Sequence, residues 1–100
     1  MLSRYRITLN RDSVCMGDDV ETHTRIVNIS IQDSPQQNIM QIAERYLPQI
    51  MGNGHTWDCV LNGKNVATIN GNCKEFTFYT DALTLSDINS LYFKYHPANY

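Results

Sequence analysis

Only one stretch of this chain repeats its apolar residues at helical spacing. Ile39, Ile42, Ala43, Tyr46, Leu47 and Ile50 fall on one face of a helix, and the segments on either side alternate instead. A lone amphipathic helix has no helical neighbour to cover its stripe, so it must pack on a sheet. Asp33 or Ser34 supplies a cap, and Pro35 suits a first turn, where its missing N–H is one of the unpaired donors anyway. Pro48 ends regular helix, and Gly52 and Gly54 form the exit loop. The spacing predicts a helix over 35–47.

The alternating segments supply the sheet. Tyr5, Ile7 and Leu9 interleave with Arg4, Arg6 and Thr8, and Val27, Ile29 and Ile31 interleave with Asn28 and Ser30. Between them lies a connection with Gly17 as its turn former, long beside the roughly 2–5 residues of a common hairpin loop. After the helix, Trp57, Cys59 and Leu61 alternate with Asp58, Val60 and Asn62. Asn62 and Gly63 offer the positive φ angles of a tight turn into a strand over 66–69, and Asn70 and Gly71 mark another turn. Phe76 and Phe78 alternate with Thr77 and Tyr79. The stretch LTLSDI reads as a loop with a short helical turn, and LYFKYH as a last strand.

The expected fold is α+β and β-grasp-like, in the order β-β-α-β-β-β. A mixed sheet of four to six strands carries one helix across one face. Residues 1–100 form a single domain, and its core includes Ile7, Leu9, Val27, Ile29, Ile39, Ile42, Tyr46, Leu61, Leu91 and Phe93. Cys59 reads as a small core residue. Trp57 joins the core unless the phase of its strand slips by one, which would turn it to the other face.

Composition narrows the function. The chain is 42% hydrophobic and 18% charged, enough to fold around an apolar core without staples. Its formal net charge of −2 provides no general basic field for nucleic acid. Three cysteines, Cys15, Cys59 and Cys73, are odd in number and lack C-x-x-C spacing, which speaks against a disulfide framework. No apolar run reaches a membrane span, and MLSRYRITLNRD lacks a signal-peptide core, so the expected compartment is the cytoplasm.

From CVLNGKNVATI to TLSDINSLYFKYH, the order of strand, Gly63–Lys64 turn, short strand, loop at Thr84, Leu85, Ser86 and Asp87, and final strand resembles the C-terminal half of a ubiquitin-like β-grasp domain. The first hairpin and the helix fall in matching places. The segment 72–82 is an insertion by that comparison, adding either a strand or a covering arm. The ending HPANY has no Gly-Gly tail, so conjugation and sulfur-carrier roles lack their key residues. The iron–sulfur β-grasp proteins need four cysteine ligands, and this chain has three scattered ones. The resemblance implies a domain that holds a partner, with Val60, Tyr92 and Lys94 in the main binding patch.

Two surfaces compete for that partner. Arg4, Arg6, Val60, Tyr92, Lys94 and His96 share the outward phase of the sheet, an aromatic among cations. Asp18, Asp19 and Glu21 cluster in the connection between the first two strands and would steer a basic partner, such as a toxin or nuclease domain. A metal site from Cys15, Asp18, Asp19 and His23 has fitting residue types but no known ligand spacing, so no cofactor is expected. Pairings of Cys15 or Cys59 with His23 or His55 as nucleophile and base follow no pattern, and the 52–54 glycine loop is too short to cradle phosphate. No enzyme is expected. The expected function is non-catalytic protein binding, in the manner of a bacterial immunity or antitoxin-like protein. The alternatives are an adaptor or small subunit of a larger complex, and single-stranded nucleic-acid binding through Arg4, Arg6, Tyr92 and Lys94.

Overall fold

A computed structural model describes residues 4–14, 23–30, 32–52 and 54–98. Cys15, Gly17, Asp18, Asp19, Glu21 and Ile31 lie outside the described residues.

The helix α1 spans Pro35–Tyr46. Ser34 caps it by accepting the Gln37 N–H at 3.1 Å, with Pro35 in the first turn. Leu47, the last residue of the expected span, is the extended C-cap and keeps one helical bond, from its N–H to the Ala43 carbonyl. Ile39, Ile42 and Ala43 are buried, so the stripe meets the sheet as its spacing requires. Tyr46 reaches across to Phe93, ring centroids 5.8 Å apart.

Among the described residues, six strands form one mixed sheet. They are β1 (Arg4–Arg11), β2 (Arg25–Ser30), β3 (Thr56–Leu61), β4 (Lys64–Asn70), β5 (Glu75–Phe78) and β6 (Ile88–His96). Their order across the sheet is β2-β1-β6-β3-β4-β5. The β1–β6 pair is parallel, and every other pair is antiparallel. The last strand thus closes the middle of the sheet, between the first hairpin and the second. This is an α+β fold with one helix on one face of the sheet, a β-grasp-like arrangement around one core.

All ten expected core residues are buried or packed against the core, Val27 and Tyr46 only partly. Trp57 is 1% exposed and belongs to the same core, so the phase of β3 does not slip. Full burial of one such side chain stabilises by about 1.5–3 kcal/mol. Asn62 (φ 51°) and Gly63 (φ 85°) make the β3–β4 turn with two positive φ angles. A register shift between Cys59 and Val60 leaves both Val66 and Ala67 buried on β4.

Two expectations are sharpened or corrected. The 72–82 segment adds an edge strand, β5, whose Phe76 and Phe78 extend the core alongside Ile69 and Ala67. The stretch LTLSDI forms no helical turn. The buried Asn89 side chain organises that loop instead. Its Oδ1 accepts the Ser86 N–H at 3.0 Å and Asn62 Nδ2 at 3.1 Å. Its Nδ2 donates to the Ser86 carbonyl at 2.7 Å and the Arg6 carbonyl at 3.3 Å. A side chain that satisfies the loop backbone removes the need for helical bonds there.

Candidate partner-binding surfaces

With α1 on one face, the other face of the sheet carries the even-numbered residues of β1, β2, β3 and β6. Val60 and Tyr92 are direct cross-strand partners there, and Lys94 lies opposite Asp58. The expected residues do not all meet, however. Arg6 is level with Ile88, whereas Tyr92 is level with Asn10, four positions further along β6. At strand spacing that separates Arg6 from Tyr92 by roughly 13 Å, and Arg4 lies further still. Val60, Tyr92 and Lys94 form one patch, and the two arginines mark the opposite end of the face.

The patch is held by two carboxylates. Asp12 accepts the Tyr92 hydroxyl with Oδ1 and the Tyr95 N–H with Oδ2 at 2.9 Å. The hydrogen bond to Asp12, with burial second, pushes the Tyr92 pKa up to about 12. Asp58 Oδ2 meets His96 Nε2 at 2.7 Å, and its Oδ1 accepts the Thr68 hydroxyl at 3.4 Å. Thr68 in turn hydrogen-bonds the Tyr79 hydroxyl. The Thr68 hydroxyl therefore meets a carboxylate and a phenol rather than the imidazole, and His96 is not placed to take its proton.

Sequence reasoning missed the apolar part of this face. Ile88 is 70% exposed, Ile26 63% and Tyr79 59%. Ile88 adjoins Arg6, and Ile26 adjoins Thr8. The alternation of β2 and β6 was sufficient to place Ile26 and Ile88 outwards.

The other candidates are dispersed. Cys59 is fully buried, and burial pushes its thiol up to about 12. Cys73, in the β4–β5 turn, is also raised, by burial and then by Glu44. His55 is 2% exposed beside Tyr95, and among the described residues its Nε2 has no hydrogen-bond partner. His23 Nε2 lies 3.0 Å from Ser13 Oγ, and its carbonyl accepts the Tyr46 hydroxyl. Among the described residues, no group of three or more His, Cys, Asp or Glu side chains gathers as a metal site. The acidic residues Asp18, Asp19 and Glu21 lie outside the described residues. Among the described residues, no helix is long and apolar enough to cross a membrane.

The described residues also line cavities. A groove of about 570 Å³ runs between β2 and α1, over Val27, Ile29 and Ile42. A smaller one of about 260 Å³ lies beside Trp57 and Cys73. Compared with known proteins, the chain matches no family model, no curated protein and no solved structure.

Proposed function

We propose that this chain is a non-catalytic protein-binding domain that holds a partner against the uncovered face of its sheet. One observation carries the reading. Of the four large hydrophobic side chains exposed in the described residues, Ile26, Ile88 and Tyr79 all lie on that face or at its rim, and only Met51 does not. A partner that covers them removes their apolar surface from water, which favours association. Arg6 stands beside Ile88 and Lys94 beside Tyr92, so charge flanks apolar or aromatic side chains at both ends of the face, a mixture common where proteins meet. The buried thiol of Cys59 and the dispersed positions of His23, His55 and His96 support a role without chemistry. The concrete form of the proposal is a cytoplasmic inhibitor or escort of the immunity-protein kind, built on a scaffold whose element order resembles that of ubiquitin-like domains.

The test compares baits in the native host. Wild type, Ile26→Asp with Ile88→Asp, and Asp18→Lys with Asp19→Lys are each used for affinity capture. The partner is expected with the wild type and to be lost with the isoleucine double variant. A partner retained at the wild-type level by that variant overturns the reading. Loss only with the aspartate double variant places the partner on the acidic connection instead.

A further inference from the structure

β2 is an outer strand, and among the described residues no strand pairs with its free side. Which of its backbone groups face outwards follows from β1. The Arg6 N–H donates to the Asp87 carbonyl at 2.9 Å, and the Arg6 carbonyl accepts from Asn89 Nδ2 at 3.3 Å, so both point towards β6. Along a strand these directions alternate from residue to residue. Tyr5, Ile7 and Leu9 therefore turn theirs towards β2, where Ile29, Val27 and Arg25 receive them. Ile26, Asn28 and Ser30 are left facing the free edge. The Ser30 carbonyl is already taken by Asn38 Nδ2 at 3.1 Å. Among the described residues nothing takes the backbone groups of Ile26 and Asn28, each with one N–H and one C=O. The strand has no proline or lysine to block its edge.

The groove beside this edge is polar in the electrical sense. Arg25 and Arg45 line one end, and Asp33 lines the other, beyond Ser30. An identical strand running antiparallel lays its Asp33 end against the Arg25 and Arg45 end, and does so twice by symmetry.

We propose that a second copy of this chain occupies the edge, the two β2 strands pairing antiparallel about a two-fold axis at Val27. At that register Ile26 of each copy lies opposite Asn28 of the other. Each such pair exchanges both N–H···O bonds, which satisfies every free group at Ile26 and Asn28 without using the Ser30 carbonyl. Val27 meets its own copy on the helix side in a non-hydrogen-bonded pair, where side chains approach most closely. Two six-stranded sheets become one of twelve strands, with their uncovered faces continuous. A parallel neighbour would set Arg45 against Arg45 and Asp33 against Asp33.

Sedimentation equilibrium of the full chain from micromolar to millimolar concentration tests this. A monomer–dimer equilibrium is expected, with amide exchange at Ile26 and Asn28 slowing as the dimer fills. Asn28→Pro removes an outward N–H without touching the β1 ladder. By symmetry two bonds are lost, so the dissociation constant is expected to rise at least about tenfold. Arg45→Glu and Asp33→Lys should each weaken the dimer, and the two together should restore it. This second set leaves the backbone intact, so it decides the matter even where the proline variant fails to fold. A chain that stays monomeric at millimolar concentration overturns the proposal. So does a dimer indifferent to the charge variants whose Ile26 and Asn28 amides still exchange freely.

Discussion

The Tyr92 hydroxyl donates a hydrogen bond to the Asp12 carboxylate, tying the last strand to the residue that follows the first strand. The same carboxylate accepts the Tyr95 N–H at 2.9 Å, and the Asp12 N–H donates to the Phe93 carbonyl at 3.0 Å. One short side chain thus clamps the open end of the parallel β1–β6 pair. Such pairs have no hairpin to hold their register.

Replacing that clamp should affect stability and titration together. Asp12→Ala is expected to destabilise by about 1–3 kcal/mol in urea, since it leaves the Tyr95 N–H without its acceptor. In Asp12→Asn the Tyr92 phenol should titrate at lower pH than in the wild type, read by its ultraviolet absorbance. An unchanged titration would show that the carboxylate does not set the tyrosine's pKa.

The sign of the pH effect follows from the same bond. The folded pKa of Tyr92 is raised from the ordinary 10 to about 12, so the neutral phenol is favoured in the fold. Its contribution is complete below about pH 10 and is lost as pH rises towards 12. Urea midpoints in the wild type should fall across that window, and fall less in Asp12→Asn.

Ile42→Ala should cost roughly 2–5 kcal/mol, because it opens a void between α1 and the sheet. Urea unfolding with an unchanged m-value measures it. A loss below about 1 kcal/mol would remove Ile42 from the core. By contrast Ile88→Asp, on the exposed face, is expected to stay within about 0.5 kcal/mol of wild type.

Asn89→Ala should be among the most damaging polar substitutions, at about 2–4 kcal/mol. It leaves the Ser86 N–H and the Arg6 carbonyl without this partner inside the fold. Proteolysis within 80–88 reads the loosened loop, and a cleavage rate equal to wild type would count against this role.

Cys59 should resist thiol reagents at neutral pH in the native state, since it is buried and its thiol is pushed up to about 12. Its labelling rate should rise with denaturant in step with unfolding. Fast labelling in the absence of denaturant would contradict the burial.

Much of this protein was legible from local pattern. Helical spacing from Ile39 to Leu47 requires a surface to cover it, and two-residue alternation in β1, β3 and β6 decides which side chains point to that surface. Periods of that kind are set by backbone geometry within a few residues, so they survive in the sequence. Asn62 and Gly63 announce their turn for the same reason, because few residues accept positive φ. What lies beside what was decided only by tertiary structure. That β6 inserts between β1 and β3 fixes the offset of Arg6 from Tyr92, splitting a patch that strand phase alone had joined. The burial of Asn89 depends on three segments meeting, Arg6 from one end of the chain, Asn62 from its middle and Ser86 beside it. Pairing between distant strands is chosen by the whole set of edges and faces competing for partners, and no local period records the outcome.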